Sequence, residues 1–449
     1  MVKYRGMRDP APPQAEAPTP ILPSPGLARS AKFGLVILTG MNLVNYLDRS
    51  VYSAVLESLS RSDLHLTDAE LGMIPTAFMI VYFLTSPIFG TLGDRGNRPR
   101  LVAFGVGVWS LATAAAGFAQ GFVSLFISRA AVGVGEAAYG TISPAMLADY
   151  FPKERRGRVF AVFFFAIPVG TALGYIVGGV VDHHFGWRVA FFVAGAPGLL
   201  LALLALALKD PPRGAHDEDL PKAHAITPGM LAAYRDLSRN RPYLLTILGY
   251  AAYTFAAGGM VIWMPTFLER IRGVPHDQAS VALGIIMVAT GIGGTFAGGW
   301  LGDFGLKYTK QSYLWLSGIA TLLALPAGAV ALLAPSPSVF YPAIVVVEVL
   351  LFMSTGPINS AIVNVVAPGE RATAVALSIF SIHLLGDVPS PILIGALSER
   401  TSLGLAVLVV LPAIAASGSI WCYAAWHGEM MEPARQRANE STSSGKEGK

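Results

Sequence analysis

Long apolar stretches, separated by short groups of Gly, Pro and charged residues, recur along the whole chain. The stretches 159–181 and 189–208 contain no Asp, Glu, Lys or Arg, and each reaches the roughly 18 to 20 apolar residues with which a helix crosses a bilayer. The pattern predicts an all-α membrane protein with twelve helical spans. They lie near 33–60, 69–92, 101–119, 122–150, 159–182, 188–208, 243–269, 278–304, 312–334, 338–366, 371–397 and 402–427.

The composition agrees with a membrane protein. Only 13% of the 449 residues are charged, against about 25% in an ordinary soluble domain. The single cysteine, Cys422, excludes an intramolecular disulfide and a thiolate metal cluster. The sequence has no Gly-Lys-Ser/Thr loop for nucleotide phosphates. We therefore expect no metal and no cofactor, with a proton gradient as the energy source.

Lys and Arg are distributed unequally between the two sides of the membrane. The tails and the even-numbered connections hold 25 of them, and the odd-numbered connections hold five. Because basic loops stay in the cytoplasm, both termini are predicted to be cytoplasmic, in a multi-pass protein of the cell's inner membrane. The net charge of +4 then reflects topology, so no nucleic-acid partner is expected.

The remaining segments are polar. Residues 1–32 and 428–449 are predicted to be disordered cytoplasmic tails, and 209–242 is predicted to be a cytoplasmic loop. No apolar signal-peptide core precedes Phe33, so we expect no cleaved leader.

The chain is predicted to be doubled, with six-helix halves at 33–208 and 243–427. "LGDRGNRPR" after span 2 is repeated as "LGDFGLKYTK" after span 8, and "PKERRGR" before span 5 is repeated as "PGERATA" before span 11. These repeats pair Asp94 with Asp303 and Glu154 with Glu370.

"GTLGDRGNRPR" resembles the loop 2–3 signature of the major facilitator superfamily, and "RAAVGVGE" at 129–136 is similar to its span 4 signature. The resemblance implies two halves that rock about a central site near the middle of the bilayer. Since carboxylates are stabilised at helix N-termini, we predict a cytoplasmic latch for the outward-open state. The arginines have the alternative role of positive-inside anchors. The predicted latch comprises Asp94, Arg95, Arg98, Asp303, Glu154 and Arg155.

Ionisable residues within spans indicate function, because each costs at least about 2.5 to 3.5 kcal/mol to insert. From the helical rise, Arg129 lies about 10 Å and Glu136 about 21 Å below the outer surface, with Asp48 and Arg49 at about 17 Å. The depths predict two pairs, Arg49 with Glu136 and Asp48 with Arg129.

We expect Glu136 to be the principal proton-coupling carboxylate. In a low dielectric it should bind a proton when it is unpaired, and release the proton when Arg49 lies beside it. Asp48 and Arg129 would then form a supporting pair. The alternative is a static buried network that fixes the register of the helices.

Three segments together resemble the Spinster family, lysolipid and sphingosine-phosphate transporters of the same superfamily: "NYLDR" (45–49), "GVGEAAYGTISPAMLADYFP" (133–152) and "SIHLLGDVPSPILIGALSE" (381–399). The resemblance implies a proton-linked carrier of lysophospholipids or sphingolipid-like amphipaths. The short loops are typical of a bacterial member, and we expect a monomer in the bilayer. The residues at positions that match the family's motifs are Asp48, Arg49, Glu136, His383 and Asp387.

The charge asymmetry between the halves suits an amphipathic substrate. Its charged head is expected near Arg49 and Arg129, with its tail against an apolar second half that includes Met260 and Trp263. His383 suits either a proton relay or helix packing. Asp387 next to "VPSP" is either part of the site or structural, and Glu348 has no assigned role.

The sequence also admits two other functions. One is a proton-coupled multidrug or organic-ion carrier of the same superfamily. The other is an intramembrane aspartyl hydrolase built from Asp48 and Asp387, which twelve doubled spans disfavour. The sequence is therefore interpreted as a transporter and not as an enzyme.

Overall fold

The computed structural model describes residues 25–214, 237, 239–366 and 371–444. We number the helical spans α1 to α12 in chain order, and a span built from several segments keeps one label. The spans are α1 (Pro25–Ala54, continued by Leu56–Ser60), α2 (Asp68–Arg95), α3 (Arg98–Ala116), α4 (Phe122–Tyr150), α5 (Lys153–Phe185), α6 (Trp187–Ala205), α7 (Arg241–Arg270), α8 (His276–Gly305), α9 (Ser312–Leu333), α10 (Pro337–Asn364), α11 (Arg371–Ile382, His383–Asp387 and Pro389–Arg400) and α12 (Leu403–Ala406, Val407–Val409 and Val410–Ser444).

The predicted order of twelve spans is confirmed. Among the described residues, eleven helices are long and apolar enough to cross a membrane. The remaining span, α1, carries a polar stretch in its second half. Asn42, Asn45, Asp48 and Ser50 are all buried there, so the polar face of α1 points into the protein.

The first and last spans extend beyond their predicted limits. The α1 helix begins at Pro25 and α12 continues to Ser444, so the prediction of disorder is corrected for 25–32 and 428–444. A helix that already exists lengthens at low cost, because each further residue adds a hydrogen bond without a new nucleus. Residues 1–24 and 445–449 lie outside the described chain, as does most of the predicted loop 209–242.

Each half packs as a bundle of its own. In the first half, α1 packs along α5 and α4 packs against α2 and α3; in the second, α9 packs against α10 and α12. Gly170 and Gly174 of α5 face the backbone carbonyls of Leu43 and Leu47, where an added Cβ would lie 2.4 Å from each oxygen. Small residues therefore let α1 and α5 approach closely.

The two halves meet mainly through two helix pairs, α2 with α11 and α5 with α8. We call the end with loops 96–97 and 306–311 the basic end, and the end with loops 61–67 and 271–275 the far end. Towards the far end, a Cβ on Gly72 of α2 would lie 2.4 Å from the Pro391 carbonyl oxygen of α11. A Cβ on Gly395 of α11 would lie 2.2 Å from the Asp68 carbonyl oxygen. The halves are therefore in backbone contact near the far end.

A cavity of about 1270 Å³ lies between the halves. Its lining at the far end, including Tyr52, Met264 and Leu332, is buried. Its exposed lining residues lie towards the basic end and include Phe165 and Phe296. The cavity is therefore closed at the far end and opens towards the basic end.

Candidate functional site

Arg49 of α1 and Glu136 of α4 form an ion pair at the wall of the cavity. The Arg49 Nε donates to Glu136 Oε2 over 2.7 Å, and Nη2 lies 2.6 Å from the same oxygen. The Glu136 side chain is fully buried, whereas 26% of the Arg49 side chain is exposed, and Arg49 lines the cavity. The second carboxyl oxygen of Glu136, Oε1, is buried and has no hydrogen-bond partner among the residues that the structure describes. The predicted pair is confirmed, with the cation towards the cavity and the acid behind it.

Aromatic rings surround the Arg49 guanidinium on its other sides. Its Cζ lies 5.1 Å from the ring centre of Tyr46, 4.9 Å from that of Phe78 and 5.5 Å from that of Tyr82. Such contacts stabilise a cation by about 0.5 to 2 kcal/mol. The rings therefore add to the stabilisation that Glu136 gives the charge of Arg49.

Asp48 and Arg129 form the second predicted pair. Arg129 Nη1 lies 2.9 Å from Asp48 Oδ1, and the Thr113 hydroxyl donates to Asp48 Oδ2 over 2.5 Å. Both charged side chains are almost completely buried. This pair is enclosed by protein, although Arg129 also borders the cavity.

The spacing within α4 sets this arrangement. Arg129 and Glu136 are seven residues apart, which is almost two helical turns, so they share one face of the helix. Between them, Gly133 packs on the Phe78 carbonyl of α2 and Gly135 on the Gly105 carbonyl of α3. Because two neighbouring helices approach so closely, this part of α4 is enclosed by α2 and α3.

His383 and Asp387 lie one turn apart in a π-helical segment of α11. The His383 Nδ1 lies 2.8 Å from Asp387 Oδ2, and the His383 ring packs 5.3 Å from that of Phe83 in α2. The nearby prolines remove amide donors from the helix, and Thr76 donates to the Val388 carbonyl over 2.7 Å. His383 and Asp387, whose roles were predicted separately from the sequence, therefore form one pair in the structure. Asp387 also lines the cavity.

The wall formed by the second half is more polar than expected. Glu348 of α10 and Asp387 both line the cavity, so the expectation of an apolar second half is corrected. Composition suggested that expectation because the second half has no Lys or Arg in the middle part of its predicted spans. The rotation of α10, which the sequence leaves open, turns Glu348 inwards.

Of the two residues expected along the substrate tail, only Met260 lines the cavity. Trp263 is fully buried and its Nε1 donates to the Pro391 carbonyl over 3.1 Å. Its expected contact with substrate is corrected: the indole joins α7 to α11, since a buried indole N–H needs an acceptor.

The predicted latch residues lie at the basic end. Arg98 is buried within the first half, where its Nη1 is 2.5 Å from Asp149 and its Nε 2.7 Å from Asp210. Asp303 accepts from the Tyr313 hydroxyl over 2.8 Å within the second half. Asp94, Arg95 and Arg155 are exposed, and the side chain of Glu154 lies outside the described residues. A latch between the halves remains a prediction for another conformation.

Sequence reasoning missed an ionic network that joins the halves at the far end. Arg270 of α7 lies 2.7 Å from both Glu57 and Asp68 of the first half. Arg61 approaches Glu269 at 3.3 Å. In a third contact, His276 lies 2.6 Å from Glu269 and 2.9 Å from Asp182 of α5. The only sequence signal was the clustering of charges at the ends of spans, which solvated loops also show.

The chain also resembles known proteins over most of its length. The model of the Major Facilitator Superfamily matches residues 38–387. Human protein spinster homolog 1 is 36% identical over 397 residues, which cover 84% of this chain and 74% of the human protein. The chain belongs to the Spinster family of the major facilitator superfamily. Protein spinster of Drosophila melanogaster is 34% identical over 85% of this chain, and the match spans 64% of the length of the fly protein.

Solved structures agree on the fold of this Spinster protein. A bacterial homologue of the human lysosomal transporter Spinster, solved in an inward-facing and unoccupied conformation, superposes with a TM-score of 0.78. The match has 23% identity and covers 88% of this chain and 97% of the other. The nucleoside transporter NupG superposes with a TM-score of 0.68 at 14% identity, covering 89% of this chain and 98% of its own. The transporter fold predicted from sequence is confirmed.

Membership of the Spinster family indicates that the chain is a transporter and not an enzyme. The fold is that of a transporter, and the two aspartates considered for a hydrolase have different partners. Asp48 is bound by Arg129 and Thr113 in the first half, and Asp387 by His383 in the second. They therefore do not form a carboxylate dyad that shares a proton.

Proposed function

We propose that this Spinster protein is a proton-coupled carrier of single-chain amphipathic lipids, lysophospholipids or sphingolipid-like molecules, which it moves by alternating access. The proposal is based on one observation above all: Arg49 borders the cavity while it pairs with the buried Glu136. A single cation thus lies between the space for a substrate and a carboxylate that can hold a proton.

The cavity suits a molecule with a head and a tail. Its volume of about 1270 Å³ exceeds the 300 to 1,000 Å³ of ordinary small-molecule sites. Apolar side chains line much of it, from about the depth of Arg49 to the basic end, and offer contacts to an acyl chain. Among them are Phe165, Met260, Met287, Phe296 and Phe352.

Competition for Arg49 would couple the substrate to a proton. An anionic headgroup that binds the Arg49 guanidinium weakens its bonds to Glu136. The Glu136 carboxylate is then a buried charge with one oxygen already unpartnered, and such a group takes up a proton because an isolated charge is costly in low dielectric. When the headgroup leaves, Arg49 returns to Glu136 and the proton is released.

The direction of opening follows from the same proposal. If the basic end is cytoplasmic, as the distribution of Lys and Arg favours, the conformation described here is inward-open. Its similarity to a homologue solved facing inward supports this assignment. Transport then requires the far-end contacts to break and the basic end to close.

The test is uptake of a fluorescent lysolipid into vesicles that contain the purified protein, with and without a pH gradient. Glu136→Gln should abolish the response to the gradient, since the amide cannot release a proton. Arg49→Lys should retain a small part of the rate, because the charge remains but the fork of hydrogen bonds is lost. Glu70→Gln is the matched control, since Gln can keep the capping bond of Glu70 to Thr67. Wild-type gradient dependence in Glu136→Gln would overturn the coupling.

A multidrug or organic-ion carrier is the second candidate. The observation in its favour is the carboxylate of Glu348 in a cavity wall that also carries aromatic side chains, a combination that suits organic cations. Competition separates the two functions: excess lysophosphatidylcholine should block transport of a labelled lysolipid, whereas a cationic dye should not. The reverse result would favour the multidrug function.

A further inference from the structure

Tyr175 of α5 and the backbone of Val261 in α7 form a hydrogen bond between the two halves. The Tyr175 hydroxyl donates to the Val261 carbonyl oxygen over 2.6 Å. Tyr175 is only 2% exposed, and both residues line the cavity. The contact belongs neither to the buried charge pairs nor to the ionic network at the far end, so the scheme described above gives it no role.

Pro265 explains why the Val261 carbonyl is available to another helix. In an α-helix a carbonyl oxygen accepts from the amide four residues later. For Val261 that residue is Pro265, which has no amide hydrogen. Pro265 is buried in the interior of α7, and a carbonyl without a donor is costly where water has little access. The Tyr175 hydroxyl, which comes from the other half, supplies the donor that α7 itself lacks.

The last part of α7, residues 262–270, is held to the first half at both of its ends. Arg270 bonds Glu57 and Asp68 at the tip, and the bond from Tyr175 to Val261 holds the inner end. The two attachments are nine residues apart, which is about 14 Å along the helix. A proline inside a helix is also a usual place for a bend. The inner attachment therefore lies where α7 can bend.

Close contacts between α5 and α8 surround Tyr175 along the chain. An added Cβ on Gly179 of α5 would lie 2.3 Å from the Ser280 Cβ of α8. An added Cβ on Gly284 of α8 would lie 2.8 Å from the Ala172 carbonyl oxygen of α5. Separation of the halves at the far end must therefore loosen these contacts and the bond to α7 together.

We propose that Tyr175 is a positioning residue of the transport cycle. Its bond to Val261 holds α7 against the first half while the far end is closed, and release of the bond lets α7 bend at Pro265 as the far end opens. This inference rests on the alternating access of the proposed function. Release is easy because water can replace the bond in an open cavity, whereas a closed far end without the hydroxyl keeps an unpaired carbonyl. Loss of the hydroxyl therefore destabilises the closed far end selectively.

Tyr175→Phe removes the hydroxyl and leaves the ring. Cys422, the only cysteine, is first replaced, and Ser53→Cys places a single thiol in the cavity wall. An impermeant thiol reagent is then applied from the far side of sealed vesicles in the absence of substrate. We expect Tyr175→Phe to raise the labelling rate about fivefold to tenfold, the effect of a carbonyl that loses its donor in the closed state.

Tyr253→Phe is the matched control. The Tyr253 hydroxyl also lines the cavity wall and donates to a carbonyl, that of Leu351, over 3.0 Å. Both of these residues belong to the second half, so this bond does not change when the halves separate. Tyr253→Phe should lower the thermal unfolding midpoint without a change in far-side labelling. Equal labelling in the two Phe variants would overturn the proposal.

Pro265→Ala tests the origin of the free carbonyl. Alanine restores the amide that can donate to Val261 within α7. In this background Tyr175→Phe should change labelling by less than about twofold, because the two substitutions act on one carbonyl and are not additive. An undiminished effect would contradict the proposal. Pro265→Ala alone should lower far-side labelling, since α7 bends less easily; if Tyr175→Phe does not fold, unchanged labelling in Pro265→Ala contradicts the proposal by itself.

The outcomes separate this inference from the proposed function. If the wild type is labelled from the far side and transports lysolipid, but Tyr175→Phe behaves as Tyr253→Phe does, only the role of Tyr175 fails. If Tyr175→Phe raises labelling as expected and the wild type transports no lysolipid, the role of Tyr175 stands and the lipid-carrier function fails.

Discussion

Arg270 near the end of α7 joins the two halves at the far end, where its Nη1 lies 2.7 Å from Asp68 Oδ2 of α2. Its Nε donates to Glu57 Oε2 over 2.8 Å, and its Nη2 to the Ser60 hydroxyl over 3.2 Å. One guanidinium from the second half thus bonds three side chains of the first. In the alternating-access cycle proposed above, these contacts must break whenever the far end opens.

Arg270→Ala should shift the protein towards opening at the far end. Hydrogen bonds to charged groups contribute about 1.5 to 3 kcal/mol, and the 25% exposure of the Arg270 side chain favours the lower value. Loss of that energy changes the equilibrium between the closed and open far end about tenfold.

The opening can be measured by cysteine labelling. Cys422 is the only cysteine, so it can be replaced and a single cysteine placed at Ser53 in the cavity wall. Labelling of that cysteine from the far side should rise about tenfold. The exposed Arg400 of the same end provides the control, and equal labelling of both Ala variants would refute a role for Arg270.

Gly72→Ala should favour the same open state for a steric reason. The added Cβ would lie 2.4 Å from the Pro391 carbonyl oxygen, so α2 and α11 cannot keep their present distance. In a state with the far end open the two helices separate and the methyl group is tolerated. Far-side labelling of the Ser53 cysteine should increase. Gly293→Ala should leave labelling unchanged, because its added Cβ has no atom of another described element within 4 Å. Unaltered labelling in Gly72→Ala would show that this contact does not limit opening.

His276 should make the far end respond to pH. Its ring lies between Asp182 and Glu269, and Arg61 also approaches Glu269. Histidine changes its charge near neutral pH. The protonated ring attracts both carboxylates and the neutral ring does not, so this attraction is present at lower pH and is lost as the pH rises.

Far-side labelling of the Ser53 cysteine in the wild type, relative to that in His276→Leu at the same pH, should therefore increase as the pH rises above about 6.5, the ordinary value for histidine. In His276→Leu it should be high, and it should rise with pH only as the thiolate fraction of the cysteine rises. The nearby exposed pair Asp63–Arg188 does not interfere, because hydrogen bonds from Arg188 lower the pKa of Asp63 below its ordinary value. The stabilisation from that pair is lost only as the pH falls through this lowered pKa, below the range tested. A wild-type response to pH that is no steeper than that of His276→Leu would exclude this role for His276.

Removal of one member of the Asp48–Arg129 pair should destabilise the protein strongly. Asp48→Asn leaves Arg129 buried without its counter-charge, which costs about 3 to 5 kcal/mol. Thermal unfolding in detergent should show a markedly lower midpoint for Asp48→Asn. The double variant Asp48→Asn with Arg129→Gln should recover much of the loss, since no isolated charge remains. A midpoint in the double variant below that of Asp48→Asn alone would argue that the pair has a further role.

Two regularities allowed the sequence to determine the buried charge pairs. A membrane span has nearly fixed length and rise, so residue number gives depth, and depth matched Arg49 with Glu136 and Asp48 with Arg129. Hydrophobic length likewise determined the number and order of the spans. Both quantities are local properties of a helix in a bilayer.

Tertiary structure decided how each helix turns about its axis and which half it touches. The rotation of α10 brings Glu348 into the cavity wall, and the packing of α7 against α11 hides Trp263, which composition had placed beside the substrate. The contacts of Arg270 and His276 join residues that are far apart in the chain. A polar side chain at the end of a span has the same local pattern whether it meets water or the other half. Only the packing of the two bundles distinguishes these cases.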